Sequence, residues 1–213
     1  MRILVINSGS SSIKFSLFDS GLSAGKELRL LLDEEATGIG SLNARLTLHG
    51  MGGNDAPRGD LHIKAETPKE AIRLIFDRLH APQIPSIEAV GYRVVHPGAK
   101  LDRHRRITPE VIADLEAASI FAPLHDPEVI TVIREGMASF PNIAHYACFD
   151  TVFHQTMPVE ATTYPIPHPY REQGARRYGF HGLSCESIVR QLRAEMVEFP
   201  RRLAIAHLAA DAA

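Results

Sequence analysis

The sequence predicts an α/β protein built on a mixed β-sheet. Short apolar runs rich in β-branched residues come first, and from residue 67 onward helix starts and further strands alternate. Three helix starts are written plainly, each as a polar capping residue followed by Pro, with an acidic residue one or two positions later.

In chain order, Ile3-Leu4-Val5-Ile6 is a continuous apolar run that reads as a central strand. A Ser/Gly turn follows. Ile13, Phe15 and Leu17 then alternate with Lys14 and Ser16, the period-two pattern of a second strand antiparallel to the first. Leu28–Leu32 and Ala44–Leu48 read as further strands, with Gly50–Gly59 as a loop. Thr67-Pro68-Lys69-Glu70 is a capping box with Pro at the first helical position, and Ile72, Leu74, Ile75 and Leu79 give its helix an apolar stripe. Val90–His96 reads as a strand ended by Pro97-Gly98. Thr108-Pro109-Glu110 starts a second helix, and Asp126-Pro127-Glu128 a third, expected to stop near Gly136. Ile143–Phe149 is the next strand, ending at Asp150. A second region opens there, with a proline-rich loop from Met157 to Pro169, a Gly179-Phe180-His181-Gly182 turn, a helix from about Ser184, and a strand at Leu203–Leu208. The expected division is a domain at 1–149 and the start of a second at 150–213.

The bulk numbers exclude several functions. A length of 213 residues, 45% hydrophobic and 23% charged, is ordinary for a globular protein. A net charge of -2 gives no case for nucleic acid, and the basic run Arg103-His104-Arg105-Arg106 reads as a solvated connection. Two cysteines, Cys148 and Cys185, make neither a disulfide framework nor a zinc motif, and read as reduced, buried thiols of a cytoplasmic protein. The apolar run at Ile3–Ile6 is too short for a signal peptide, and no stretch approaches the roughly 20 apolar residues of a membrane helix. HExxH and GxSxG are absent, which removes support for a zinc or serine hydrolase.

The segment Asn7–Lys14 carries the strongest chemistry. Small residues let backbone N–H groups approach an anion. Ser12 and Lys14 share a strand face, with Ser10 beside them in the turn, so two hydroxyls and an ammonium converge. A polar hairpin turn with an exposed Lys is the alternative. The Lys lies on a strand, so this is not a Walker loop. Arg93 interrupts an apolar strand and must be paired, with a carboxylate or phosphate ligand or with an internal acid. His125 precedes a helix start, facing an anion or standing as a plain loop His. Asp150 at a strand end can hold Mg²⁺, orient an Arg or cap its turn. Arg176, Arg177 and His181 surround glycines, as a phosphoryl clamp or an ordinary basic loop.

Taken together, VINSGSSSIKFSLF (Val5–Phe18), GYRVVHPG (Gly91–Gly98), APLHDP (Ala122–Pro127), CFDTVFHQTMP (Cys148–Pro158), RRYGFHGLS (Arg176–Ser184) and AHL (Ala206–Leu208) resemble the acetate kinase family in order and approximate spacing. The resemblance implies the actin, Hsp70 and sugar-kinase superfold, with two ribonuclease-H-like domains and the active site between them. It implies transfer of the γ-phosphate of ATP to acetate, with Mg²⁺. By the same resemblance Asn7 is associated with magnesium. Ser10, Ser12, Lys14 and His207 hold ATP phosphates. Arg93 holds the acyl substrate, His125 and His181 flank the transferring phosphoryl group, and Asp150 is the essential Asp. Val95, Leu124 and Phe180 line the pocket for the acetate methyl.

Acetate is ionised at pH 7, so in-line transfer needs positioning and charge neutralisation more than a general base, and Asp150 reads as an orienting group. Val95 favours the smallest acid over propionate or butyrate. A non-enzymatic remnant that binds phosphate or a partner is the other class.

Three departures stand out. The family chain is about twice as long. Its Gly-Asn-Gly phosphate loop is replaced here by Ala209-Ala210-Asp211, and its second active-site Arg and adenosine pocket lie beyond residue 213. Pro97 and Asp126 replace a common Gly and Asn, as milder changes. The expectation is therefore an amino-terminal half with little turnover, lacking the half through which the family forms homodimers.

Overall fold

A computed structural model describes residues 1–9, 11–21, 28–49, 59–119 and 126–207, the side chain of residue 126 excepted. The chain divides into two compact units, Met1–Cys148 and Phe149–Ala213.

The first unit is organised on a mixed sheet. Its strands are β1 (Arg2–Ser8), β2 (Ser12–Asp19), β3 (Arg29–Thr37), β4 (Arg45–Leu48), β5 (Gly59–His62), β6 (Ala89–Val94), β7 (Arg105–Arg106) and β8 (Ala144–Phe149). Their spatial order is β5-β4-β3-β2-β1-β6-β8-β7. β1 to β5 form an antiparallel meander, and β6 returns parallel to β1 with Tyr92 beside Ile6. Helices α1 (Pro68–Leu79), α2 (Pro109–Ala118) and α3 (Asp126–Ser139) complete the unit.

The period-two pattern decides which face they cover. Leu4, Ile6, Ile13, Phe15, Leu17, Val90 and Tyr92 are buried, together with Ile72, Ile75 and Phe76 of α1 and Val132 and Ile133 of α3. Burying each such side chain stabilises by roughly 1.5–3 kcal/mol. The residues between them in sequence emerge on the opposite face.

Helix starts follow the sequence signals. Thr67 Oγ1 accepts from the Glu70 N–H at 3.2 Å, and Thr108 Oγ1 accepts from the Val111 N–H at 3.4 Å. Glu70 returns its carboxylate one residue beyond the expected box, to the Glu66 N–H at 2.8 Å.

Several expectations need correction. α3 passes through Gly136 and ends at Ser139. Gly136 is a packing glycine: a Cβ there would lie 2.0 Å from the Tyr92 hydroxyl and 3.2 Å from the Phe76 ring. β3 runs to Thr37, well past Leu32, because each of its acids finds a partner. Glu34, 2% exposed, is gripped by Arg78 Nε at 2.9 Å and Nη2 at 2.9 Å. Asp33 accepts from Ser16 Oγ at 2.6 Å.

β6 stops at Val94. His96 beyond it is buried and accepts the Gly98 N–H on Nδ1 at 2.9 Å, and Gly98 takes φ +76°. Arg105 and Arg106 form an edge strand instead of a loop, and Arg103 and Arg105 reach Asp102. A charged edge of this kind resists pairing with other chains. The expected Gly50–Gly59 loop lies outside the described residues, except Gly59, which opens β5.

The second unit holds a 3₁₀ turn at Val152–His154, then α4 (Val159–Thr162), α5 (His168–Glu172) and α6 (Gly182–Glu195). The proline-rich segment is thus not a plain loop. Pro158 and Pro167 sit at the caps of α4 and α5, where their fixed φ suits a helix entry. α6 starts at Gly182, two residues before Ser184. Leu203–His207 is not a strand, since no ladder partner pairs with it among the described residues. Cys148 and Cys185 are thiols rather than a disulfide, and are half-buried rather than buried. No helix among the described residues is long and apolar enough to cross a membrane.

Candidate functional site

In the first unit the register of four strands builds a transverse polar row on the face away from the helices. Asn7 stands opposite Lys14, and Lys14 opposite Glu35. Arg93 follows Tyr92, the β6 partner of Ile6, and so comes level with Asn7. The row reads Arg93, Asn7, Lys14, Glu35 across β6, β1, β2 and β3. Arg93 Nη1 donates to Asn7 Oδ1 at 3.0 Å, and Lys14 Nζ lies 3.6 Å from Glu35 Oε1. Ser12 emerges on the same face, two residues before Lys14.

Two backbone hydrogen bonds flank the turn above this row. The Gly9 N–H donates to the Ser12 carbonyl at 2.7 Å, and the Ile39 N–H donates to the Ser11 carbonyl at 3.2 Å. Among the described residues, a Cβ on Gly9 would meet nothing closer than 3.7 Å, so their packing does not require glycine there. Ser8 Oγ is buried with no hydrogen-bond partner among the described residues. Val95 is half-buried just past the end of β6.

Behind Arg93, on the core side of the same strand, lies a network that sequence reasoning missed. Tyr92 Oη is 2.9 Å from His145 Nδ1, and His145 Nε2 is 2.9 Å from the Phe140 carbonyl. A carbonyl only accepts, so Nε2 carries the proton and Nδ1 accepts from the tyrosine. Burial pushes the His145 pKa down and the Tyr92 hydroxyl pKa up, which keeps both groups neutral. His96 is likewise pushed down by burial. The only sequence signal for this network is a Tyr and a His on otherwise apolar strands.

In the second unit, the functional residues sit on turns. Asp150 is buried directly after β8, and its backbone carbonyl accepts the Gly182 N–H at 2.8 Å. A Cβ on Gly182 would lie 2.2 Å from that carbonyl oxygen, so only glycine admits this approach. His181, at the cap of α6, takes φ +56°, the left-handed region rarely used by non-glycine residues. Such strain concentrates at functional positions. Its ring stacks on His207, with centroids 4.2 Å apart and planes 10° apart. Phe180 is 42% exposed, and its carbonyl receives His154 Nε2 at 2.9 Å. Arg177 donates to the Ala161 carbonyl at 3.2 Å and lies over the Tyr164 ring, while Arg176 lies over Tyr178. These contacts give both arginines a structural role.

The structure thus brings Asn7 to Arg93 in one unit and His181 to His207 in the other. Ser10, Leu124 and His125 lie outside the described residues, as do Ala209, Ala210 and Asp211. No grouping of three or more His, Cys, Asp or Glu among the described residues can hold a metal. Asn7 does not fit the expected association with magnesium, since its oxygen is turned to the Arg93 guanidinium.

The acetokinase family description matches residues 2–213. An acetate kinase of Rhodopseudomonas palustris is 37% identical over 99% of this chain and 53% of its own length. The crystal structure of Porphyromonas gingivalis acetate kinase superposes with a TM-score of 0.77 at 30% identity, over 91% of this chain and 49% of that one. A propionate kinase from Francisella tularensis superposes with a TM-score of 0.79 at 30% identity, over 91% and 48%. The chain therefore spans about half the length of the curated relatives it matches, and its sheet with flanking helices is the actin-like fold of these kinases. On the strength of a match across nearly all its residues, the chain belongs to the acetokinase family.

Proposed function

We propose that this chain serves acetate kinase chemistry, the transfer of the γ-phosphate of ATP to acetate to give acetyl phosphate and ADP. The first unit supplies the acyl-binding and first phosphate-binding groups, and the second opens the nucleotide side. The observation that carries this is Arg93. It stands on an apolar strand, on the sheet face that also presents Lys14, and is held by a neutral amide at 3.0 Å. A fixed guanidinium with forked donors suits a planar carboxylate.

In this reading Arg93 orients the acetate oxygen for attack, and Val95, Leu124 and Phe180 bound the methyl group. Lys14, Ser10, Ser12 and His207 hold phosphate oxygens. His181, with His125, donates to the equatorial oxygens of the transferring group, where charge develops. The His207 ring stacked on His181 restricts the orientation of that imidazole. Asp150, buried beside the start of α6, orients these donors; acetate carries no proton that a base must remove. Mg²⁺ belongs to this chemistry as the partner of ATP. The same reading places the reaction in the cytoplasm and assigns the family's homodimer contact to the half of the relatives that this chain does not span.

The propionate kinase neighbour supports a second reading, a longer acyl acceptor. Acyl-phosphate formation, trapped as the hydroxamate, across acetate, propionate and butyrate separates the two. Acetate binding followed by chemical shift needs no turnover. We expect acetate to be preferred and Arg93→Ala to weaken its binding at least about tenfold, roughly 1.4 kcal/mol. Acetate binding unaffected by Arg93→Ala would remove the proposal's foundation.

A further inference from the structure

We infer that Asn7 is a positioning residue for Arg93, and that the group it offers a ligand is its amide N–H rather than its oxygen. The inference deepens the reading of Arg93 as the carboxylate-binding residue and rests on it.

The amide orientation follows from chemistry. A guanidinium has five donors and no acceptor, so the Asn7 atom 3.0 Å from Arg93 Nη1 must be the oxygen. The Nδ2 hydrogens are left for other partners. The register then puts a second cation on the neighbouring strand, because Lys14 pairs directly with Asn7. Adjacent strands lie roughly 4.8 Å apart. The Asn7 oxygen is therefore flanked by Arg93 on one side and Lys14 on the other.

A divalent cation ligated by that oxygen would sit about 2.1 Å from it, against a permanent guanidinium charge already bonded to the same atom. An anion at the same place meets the Asn7 amide N–H and the Lys14 ammonium beside the Arg93 guanidinium, with the Glu35 carboxylate at the far end of the row. The row is built for a carboxylate or phosphoryl oxygen. Lys14 is drawn toward Glu35 at 3.6 Å, which leaves the Asn7–Arg93 pair as its better-fixed part.

The test uses the whole chain with ¹⁵N-labelled Asn and Arg side chains. The probes are sodium acetate, inorganic phosphate, and Mn²⁺ with ADP, with Mg²⁺ and ADP as the diamagnetic control. Acetate alone shifting the Asn7 side-chain N–H and Arg93 resonances identifies a carboxylate subsite, and phosphate alone a phosphoryl subsite; either supports the inference. Mn²⁺ with ADP should leave the Asn7 N–H no broader than neighbouring amides.

The variants carry opposite signs. Asn7→Asp sets a carboxylate against Arg93, so we expect anion binding about tenfold weaker and Mn²⁺ binding changed less than twofold. A metal ligand predicts the reverse, with Asn7→Asp tightening Mn²⁺, Asn7→Ala weakening it, and anion binding unchanged. That result overturns the inference. If acetate binding ignores Arg93→Ala, the substrate reading fails separately. The Arg93 resonances then decide: a shift in Asn7→Ala supports positioning, and an unchanged spectrum refutes it.

Discussion

The two units hold their candidate residues by different means. In the first unit, Asn7, Lys14 and Arg93 are placed by strand register. In the second, Asp150 and His181 are placed by close contact, with Gly182 pressed on the Asp150 carbonyl and His181 in the left-handed region. A ladder tolerates local change because many hydrogen bonds share the task. A turn built on one close approach does not.

Glycine substitution is the sharpest way to break this contrast. Gly182→Ala should cost about 2–3 kcal/mol, since the obstructing atom is backbone and must move. Urea unfolding of the whole chain reads this cost, and a loss under about 0.5 kcal/mol would show the approach is not needed.

Acid comes next, and acts on the first unit. Burial lowers the folded-state pKa of His96 and His145 from the ordinary 6.5, so the unfolded chain takes up more protons as pH falls. Stability from these groups is whole above pH 6.5 and is lost progressively below it, toward their lowered folded values. The melting temperature should fall between about pH 7 and pH 5. His96→Asn keeps an acceptor for the Gly98 N–H and should flatten part of that fall. A melting temperature unchanged across the window would contradict the assignment.

Glu35→Gln has a smaller effect. It frees Lys14 from a largely exposed pair worth at most about 1 kcal/mol, and should tighten phosphate binding a few-fold with little change in stability. Weaker binding would mean that Glu35 aims Lys14 rather than competing for it. Smallest of all is Gly9→Ala, expected within about 0.5 kcal/mol of the parent in urea. A large loss there would erase the contrast between the units.

Much of the fold was legible where one physical signal acts alone. The β1 and β2 pattern and the Thr-Pro starts of α1 and α2 are local, and they appear where expected. Signals failed where tertiary partners override them. Gly136 looks like a helix stop and is a slot for Tyr92. Asp33, Glu34 and Glu35 lie beyond the strand expected at Leu28–Leu32, yet extend it because Ser16, Arg78 and Lys14 answer them. Leu203–His207 has strand composition without a strand to pair with among the described residues. At the site, the side-chain types were readable, and Ser12 with Lys14 on one face followed from period two. The Asn7–Arg93 bond was not readable, because it depends on a pairing between residues 86 positions apart.

That separation has a consequence for the order of assembly. Strands β1 to β5 pair with neighbours in sequence, and Ser8 meets Ile13 across a turn of four residues. Such local closures lose little chain entropy and form early. Ile3 meets Ala89 only after a long excursion through the rest of the meander and α1. Lys14 is therefore in place beside Asn7 before Arg93 arrives, and the anion row is completed by the slowest closure in its sheet. A refolding experiment should show the hairpin protected from hydrogen exchange ahead of β6, with acetate affinity appearing only in the later phase.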